Sequence, residues 1–543
     1  MLIKHRRNPH TPLRAALIRA PLTAKSPFHR KVVECLGIGA LAAIARHEGL
    51  ADPVLIDGEL SDISVPALIA QLEELDPDLI GLTVPLQHLP AEIIELVAGL
   101  RDRSFDGWIV IGGHSPTFYA QAALARLPGL DAVFLGEADR SFPAMIRGLT
   151  AGTPFADVNG IAFRTEGGIV TKPAAPRTGG LAGMPAPARD LTGQIIARNG
   201  LAALWTSRGC SRHCSFCSIR SFYRASGQRR GWTARPAGDV INEMTALAKT
   251  HGVSRLLVVD EDFFGCGLGI RRAREMAELL HRNPLGIEFA VSCRTDEVDY
   301  ELMRLMYGAG LRHLYLGVES GSEADLTAFR KAVKVETNMQ AVQLAEQAGL
   351  SVQVGTIVLH PLATIDSLRA TYRMLRSLKQ HGLYCMTTQW IPYHGTGYTN
   401  LFRQRGVVTE AETMLSVHYP EPWQVYLQRF FDEVHQRFLL FYELLAHINN
   451  TQTFRWRDPV KGRGPTAELA VRGFEDSLNN VLADLLEAAL DEIERAARDR
   501  LGWDAFHTRI LPAVEAAYEA VSLSALAVFT ILQREQDPLA INR

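Results

Sequence analysis

The sequence lacks a hydrophobic run long enough to cross a membrane. No stretch reaches the about 18 consecutive apolar residues that a membrane-spanning helix needs. The first residues, MLIKHRRNPHTPLR, also lack the apolar segment that follows the basic side chains of a secretory signal. We therefore expect no association with membranes and a cytoplasmic location.

The sequence also lacks an excess of charge of either sign and the cysteines of a disulfide framework. Its 57 lysine and arginine residues nearly balance its 59 aspartate and glutamate residues. No overall field therefore attracts nucleic acid, and we expect a small-molecule substrate. The cysteines number seven, which is odd, and three of them are clustered, a distribution that favours metal binding in a reducing compartment.

What the sequence does have is a long alternation of short apolar runs with amphipathic segments. With 543 residues and 47% apolar content, it can form several hydrophobic cores. Runs such as LIGLTV, WIVIGG and AVFLGE alternate with helical patterns, which predicts a doubly wound parallel sheet. A second alternating series resembles a full or partial parallel barrel, and the last part of the chain has helical spacing only.

These patterns divide the chain into five segments. We predict a tail over 1–12, a Rossmann-like α/β domain over 13–150, a linker with a hairpin over 151–200, a parallel barrel over 201–405 and a helical domain over 406–543. The last strand unit of the barrel is expected over LYCMTTQW, and strands are expected to stop at about residue 406.

Three cysteines follow a predicted strand in the spacing C-x3-C-x2-C: Cys210, Cys214 and Cys217. Four thiolates normally saturate a [4Fe–4S] cluster, so three leave one iron open. An open iron can chelate the amino and carboxylate groups of S-adenosylmethionine and pass an electron to its sulfonium, which releases a deoxyadenosyl radical. The alternative is a structural zinc site with His213 or a distant cysteine as fourth ligand.

With this spacing and the aromatic Phe216 before the last cysteine, the chain resembles the radical S-adenosylmethionine superfamily. The segments LVVDEDFFG, FAVSCRTDEVD, GVESGSEADLTAFRKAVK and QWIPYHGTGY are similar, in order and spacing, to strand-end segments of that family. The resemblance covers most of residues 201–400. It implies a partial (β/α)6 barrel, a 4Fe-4S cluster, S-adenosylmethionine as cofactor and an external electron donor of the flavodoxin or ferredoxin type.

The resemblance also implies which side chains contact S-adenosylmethionine. Glu319 ends the fourth barrel strand, and Lys331 would pair with the carboxylate of the cofactor; Arg330 would replace Lys331 if the register slipped by one. An opposite charge offsets the desolvation of each ionised group. Phe216 could instead be a hydrophobic plug, and Asp262 could cap a helix. The implied contacts are Phe216, Asp262, Ser292, Arg294, Glu319 and Lys331.

Several further residues allow a functional or a structural role. Cys266, Cys293 and Cys385 have no cluster spacing, so we expect buried apolar residues. His360 could face the substrate or be structural. A basic stretch could steady an anionic substrate or pack: Arg220, Arg224, Arg229, Arg230 and Arg235.

Residues 14–150 resemble the cobalamin-binding domain that precedes the barrel in one branch of the superfamily. Glycines at its strand ends would let backbone amides approach the corrin or its nucleotide tail. The D-x-H-x-x-G motif is missing, so the resemblance places the loop 84–88, with Gln87 or His88, at the lower cobalt face. The G-x-G-x-x-G fingerprint of dinucleotide sites is also missing. The implied contacts are Thr83, Leu86, Gln87, Gly112, Gly113, His114, Ser115, Gly136 and Glu137.

Together, the two resemblances imply methyl transfer to an unactivated carbon, or to phosphorus, of a small biosynthetic intermediate. Two alternatives remain open when cobalamin is bound. The protein could be a cyclase, oxidase or rearrangement enzyme in which cobalamin carries no methyl group, or a cobalamin sensor or carrier without catalysis. A degenerate first domain that only supports the barrel is a further alternative. No side chain is assigned a catalytic role.

Overall fold

The computed structural model of this chain describes residues 13–22, 33–84, 87–176, 179–228, 231–448 and 465–536. The predicted tail over 1–12 lies outside these residues, as do Leu86, Arg229 and Arg230. The described part contains two large, mainly parallel sheets with their helices, two small antiparallel strand pairs and a C-terminal group of long helices. The α/β fold class predicted from the sequence, with its helical C-terminal region, is confirmed.

The first sheet is built from the N-terminal third of the chain. Its elements are β1 (Ala15–Arg19), α1 (Leu36–His47), β2 (Val54–Asp57), α2 (Gly58–Ser61), α3 (Val65–Leu75), β3 (Leu79–Thr83), α4 (Ala91–Asp102), β4 (Trp108–Gly112), α5 (Pro116–Arg126), β5 (Ala132–Phe134), α6 (Ser141–Ala151), β6 (Ile161–Thr165) and β7 (Gly168–Lys172). The strand order is β2-β1-β3-β4-β5-β6-β7. The first five strands run parallel, and helices cover both faces, so the LIGLT run of β3 is almost entirely buried.

The hairpin expected between residues 151 and 200 consists of β6 and β7. Strand β6 pairs antiparallel with β5, and β7 pairs antiparallel with β6. The hairpin therefore extends the edge of the first sheet.

The second sheet forms an open barrel. Its elements are α7 (Thr192–Ala197), β8 (Ala202–Leu204), β9 (Ser207–Gly209), α8 (Ile219–Ala225), β10 (Trp232–Ala234), α9 (Ala237–His251), β11 (Arg255–Val258), α10 (Ile270–Arg282), β12 (Glu288–Arg294), α11 (Tyr300–Gly308), β13 (Leu311–Glu319), α12 (Glu323–Ala328), α13 (Val335–Gln347), β14 (Ser351–Thr356), α14 (Ile365–Ser377) and α15 (Leu383–Met386). Strands β8, β11, β12, β13 and β14 are parallel neighbours in chain order, while β9 and β10 form a separate antiparallel pair.

The predicted strand over LYCMTTQW is wrong in its first half. Residues Leu383–Met386 form the short helix α15, and the sixth strand position is reduced to a parallel bridge between Leu359 and Gln389. A short apolar run is too short for its periodicity to distinguish a buried strand from a buried helical turn.

Strands do not stop at residue 406 as predicted, because β15 (Val408–Ala411) and β16 (Met414–Val417) form an antiparallel pair that follows α16 (Gly397–Gln404). The long helices α17 (Pro422–Ile448), α18 (Pro465–Asp499) and α19 (Trp503–Gln536) come after it. They share one apolar core with the barrel helices.

One helix in the described part of the chain, α19, is long and apolar enough to span a membrane. The span covers Trp503–Gln533, and 28% of its most apolar window is buried. Its inner side, with Phe506, Ile510 and Val514, belongs to the shared core. A single helix of this kind is weak evidence, because core helices of soluble proteins meet the same criterion.

Candidate active site

The cysteine loop begins where β9 ends. Gly209 has a φ of 87°, and a Cβ atom there would lie 2.4 Å from the carbonyl oxygen of Gly231, so the close β9–β10 pair requires glycine. Two backbone hydrogen bonds at Ser215 fix the loop further along. The amide of Ser215 donates to the carbonyl of Phe329 at 2.8 Å, and the carbonyl of Ser215 accepts from the amide of Tyr398 at 2.9 Å. The backbone therefore holds the loop firmly against the barrel.

The three loop thiols are partly buried. Burial raises the pKa of Cys217 to about 11 and also raises the pKa of Cys214. Cationic iron would reverse this effect, because metal ligation stabilises the thiolate. The donor set fits a three-thiolate cluster.

The next feature is a buried ion pair between Lys331 and Glu319. The Lys331 Nζ atom donates to Glu319 Oε1 at 2.7 Å. Burial lowers the pKa of Lys331, but the neighbouring carboxylate outweighs burial and raises it overall. Both side chains lie over Gly317, where a Cβ atom would be 2.7 Å from Nζ. The pair therefore involves Lys331 in the predicted register, and Arg330 is exposed.

Arg294 links this pair to the cysteine loop. Its guanidinium donates to the backbone carbonyl of Lys331 at 2.9 Å and to Asp296 at 2.8 Å, and it lies 3.9 Å from the sulfur of Cys214. Ser292 lies two residues earlier on β12, on the same face of the strand. The structure thus gathers Ser292, Arg294, Glu319 and Lys331 at one edge of the barrel beside the loop.

The three acidic residues after β11 face the start of the same loop. Asp260 accepts from Thr206 and Ser207, and Glu261 accepts from the amide of Gly209 at 3.0 Å. The carboxylate of Asp262 accepts from the thiol of Cys210 at 3.5 Å. Burial raises the pKa of Glu261 to about 7 and that of Asp262 to about 6.

Phe216 and His360 lie in an aromatic cluster behind the loop. Phe216 packs edge-on against Phe329 with ring centroids 5.5 Å apart. His360 is fully buried, and its Nδ1 lies 3.0 Å from the hydroxyl of Tyr398. Its Nε2 is 3.4 Å from the carboxylate of Asp325. These contacts enclose His360 within the aromatic cluster and favour the structural role over the substrate-facing one.

Cys266 is not the buried apolar residue that the sequence predicted, although Cys293 and Cys385 are buried. Cys266 is partly exposed, and its thiol donates to Asp262 at 3.4 Å. The hydrogen bond with Cys210 lowers the pKa of Cys266 to about 6. Sequence reasoning missed this neighbour because it lies 56 residues from Cys210 in the chain.

A cavity of about 250 Å³ opens at the carboxyl edge of the first sheet. Of the residues predicted to bind there, five line it: Thr83, Gly112, Gly113, Gly136 and Glu137. Gly113 has a φ of 126°, and a Cβ atom there would be 2.8 Å from the carbonyl of Val84. Gln87 does not line this cavity, and its amide donates to the hydroxyl of Tyr393 at 3.1 Å.

Two side chains, Arg208 and His114, join the edge of the first sheet to the cysteine loop. Arg208, two residues before Cys210, donates to both Glu137 and Asp139. On the other side of the loop, His114 Nε2 lies 2.7 Å from the hydroxyl of Ser218, and its ring stacks on Phe222 at 4.5 Å. Ser115, the next residue, is buried. The cavity edge and the cysteine loop are therefore direct neighbours.

Because His114 is largely buried, we expect the folding stability of the protein to decrease at acidic pH. Burial lowers its pKa to about 4, whereas the unfolded value is about 6.5. The unfolded chain therefore binds a proton that the folded chain does not, and stability falls by about 2 kcal/mol between pH 7 and pH 5. His114→Phe keeps the stacking and should remove this part of the pH dependence, measured by unfolding at both pH values. The surface residue His47 provides the control variant, and an equal change in His47→Phe would contradict the assignment.

Two family descriptions match the chain. "Radical SAM superfamily" matches residues 206–375, and "B12 binding domain" matches residues 30–146. Together these two matches cover more than half of the chain. The first match contains the cysteine loop and the Glu319–Lys331 pair, and the second contains the glycine-lined cavity edge.

Similar proteins agree with these matches. An uncharacterized methyltransferase of Pyrococcus horikoshii is 25% identical over 66% of this chain and 76% of its own length. An anaerobic magnesium-protoporphyrin IX monomethyl ester cyclase of Rubrivivax gelatinosus is 26% identical over 68% of this chain and 66% of its own length. The chain thus spans about two thirds to three quarters of these relatives.

One solved structure matches nearly the whole fold. The cobalamin-dependent S-adenosylmethionine radical enzyme OxsB, with aqua-cobalamin and S-adenosylmethionine bound, aligns with a TM-score of 0.74. The alignment covers 96% of this chain and 84% of that structure at 18% identity. At this level of identity the likeness concerns the fold.

Proposed function

Because this chain is a member of the radical S-adenosylmethionine superfamily with a B12-binding domain, we propose that it methylates an unactivated carbon, or phosphorus, of a small biosynthetic intermediate. It is an enzyme whose cofactors are a 4Fe-4S cluster, S-adenosylmethionine and cobalamin. We further propose that it is soluble and cytoplasmic and receives electrons from a flavodoxin or ferredoxin. The domain limits stay those proposed from the sequence, and the β6–β7 hairpin of the linker over 151–200 pairs with strand β5 of the first domain.

The observation that supports methyl transfer is the direct contact between the two cofactor regions. The Arg208 guanidinium bridges the cavity edge to the cysteine loop, and its side chain and those of Glu137 and Asp139 are all at least 86% buried. A methyl group carried at one cofactor must reach a substrate activated at the other, so the two regions must be adjacent. A carrier or sensor without catalysis would need no such contact.

The chain's own residues bind and orient the cofactors. Cys210, Cys214 and Cys217 would hold the cluster, and Arg294 would donate toward the sulfur of Cys214. The opposite charges of Glu319 and Lys331 would meet the amino and carboxylate groups of S-adenosylmethionine. Bound together, the cofactors supply electron transfer, hydrogen-atom abstraction and the methyl group, and the packed protein excludes water.

A substitution at Gly37 tests the cobalamin site. Gly37 is the second residue of α1, it lines the cavity, and an added Cβ atom there would have free space around it. Gly37→Phe should fill the cavity and reduce bound cobalamin at least about tenfold, the loss that about 1.4 kcal/mol produces. Glycine is poor inside helices, so the variant should not unfold. Cobalamin is quantified by absorption after anaerobic reconstitution.

The matched control is Gly238→Phe. Gly238 is also the second residue of its helix, α9, and also has free space around an added Cβ atom, but it does not line the cavity. It should retain cobalamin. If both variants bind cobalamin like the unchanged protein, this cavity does not receive the cofactor.

The central experiment uses reconstituted protein with S-adenosylmethionine labelled on its methyl group and a strong reductant. We expect labelled methylcobalamin and, with a substrate, both 5′-deoxyadenosine and a product that has gained the label. The similarity to a cyclase supports a second candidate. For that candidate, 5′-deoxyadenosine would form while no label entered cobalamin or product, and the product would lose hydrogen. Absence of both signals would contradict catalysis.

A further inference from the structure

The loop after β11 brings a fourth thiol to the cysteine loop. Gly265, Cys266 and Gly267 have φ angles of 61°, 56° and 89°, so three consecutive residues are left-handed. The amide of Gly267 donates to Glu297 Oε1 at 3.1 Å, which fixes the turn. The turn directs the Cys266 side chain toward Cys210, so that two thiols from distant parts of the chain face one carboxylate.

Three donor atoms converge at this point. The sulfurs of Cys210 and Cys266 lie 3.5 and 3.4 Å from the same oxygen of Asp262. All three donor atoms are within 4.8 Å of one another, and the group does not include Cys214 or Cys217. In a tetrahedral site with metal–sulfur bonds of about 2.3 Å and metal–oxygen bonds of about 2.0 Å, sulfur and oxygen are about 3.5 Å apart. The two observed sulfur–oxygen distances therefore match the sulfur–oxygen distance of a tetrahedral site.

The surroundings suit a cation. Glu297 interacts with Asp262, and the guanidinium of Arg212 interacts with the thiol of Cys266. Residues that contact the metal ligands, and not the metal itself, orient those ligands and tune their charge. Asp262 is buried, while the two thiols are partly exposed, so an ion can enter from the thiol side.

We propose that Cys210, Cys266 and Asp262 bind a single thiophilic divalent cation, such as Fe²⁺ or Zn²⁺, in the cluster-free protein. Each thiol releases one proton on binding, so the site has two thiolates and one carboxylate around the ion. Because Cys210 is shared, the single ion and the cluster exclude each other. The ion must leave, or be built into the cluster, before Cys210 can serve as a cluster ligand. The proposal does not depend on methyl transfer.

The test is titration of the anaerobic, reduced, cluster-free full chain with Co²⁺, followed by the charge-transfer absorption of thiolate-bound cobalt. The unchanged protein should bind one equivalent with two thiolates. Cys266→Ser and Asp262→Asn should each weaken binding at least about tenfold, since even outer-shell changes weaken metal sites by that much. Cys217→Ser, which lies outside the three-donor group, should bind Co²⁺ as the unchanged protein does.

A second measurement separates this proposal from the proposed function. Cys266→Ser should still assemble a cluster with the same iron and sulfide content, because it leaves the three loop thiols in place. Loss of cobalt binding in Cys217→Ser together with normal binding in Cys266→Ser would overturn the proposal, since the ion would then sit on the loop cysteines. Loss of the cluster in Cys266→Ser would also overturn it.

Discussion

Replacing Cys217 with alanine is expected to abolish 5′-deoxyadenosine release, down to the level of a protein-free control. Cys217 is held in a loop whose backbone is fixed to the barrel, and the nearby thiol of Cys266 groups with Cys210 and Asp262 and not with Cys217. With two loop thiolates the cluster loses an iron ligand, and S-adenosylmethionine loses its electron source. Iron and sulfide analysis, electron paramagnetic resonance and chromatography of the nucleoside check the result.

The control for this substitution is Cys35→Ala. Cys35 precedes α1 in the first domain, and its side chain does not cap the helix. The variant removes one thiol without touching the loop, and it should keep the full iron and sulfide content. If Cys217→Ala retained a cluster and released 5′-deoxyadenosine, the three-cysteine assignment would be wrong.

Replacing Lys331 with alanine should have the second largest effect, because it acts on both stability and cofactor binding. The change leaves the carboxylate of Glu319 buried without its partner, which typically destabilises a protein by about 3–5 kcal/mol. It also removes a charged donor to S-adenosylmethionine, and losing such a hydrogen bond weakens binding by about 10- to 100-fold. Chemical unfolding and equilibrium dialysis measure the two effects separately.

A double variant distinguishes a structural pair from a cofactor contact. Glu319→Gln combined with Lys331→Met removes both charges, so no unpaired ion stays buried and much of the lost stability should return. The affinity for S-adenosylmethionine should remain low, because neither charge is available. Recovery of normal affinity in the double variant would show that the pair serves the fold alone.

The sequence predicted those parts of the site that depend on local patterns. The spacing of Cys210, Cys214 and Cys217 is local, and the apolar runs fixed the strands whose ends carry Gly112 and Gly136. The roles of Glu319 and Lys331 toward S-adenosylmethionine came from resemblance, whereas their bond to each other was not predicted. The contacts proposed for both cofactors stay predictions until they are measured.

Other parts could not be predicted, because they depend on contacts between distant segments. The approach of Cys266 to Cys210 requires a left-handed turn at a residue that is not glycine, and nothing in the local sequence marks it. His360 is a lone histidine whose partners, Asp325 and Tyr398, are 35 and 38 residues away. The helix over Leu383–Met386 replaces a strand that the apolar run equally allowed.

The bridge from Arg208 to Glu137 and Asp139 connects the first domain to the strand that leads into Cys210. A ligand that displaced these carboxylates would have to break the bridge or move Arg208 with them. Linkage between two binding sites is reciprocal. The factor by which bound corrinoid changes the affinity for the iron–sulfur cluster equals the factor by which the cluster changes the affinity for the corrinoid. The effect of one centre on retention of the other, once measured, therefore gives the effect in the opposite direction as well.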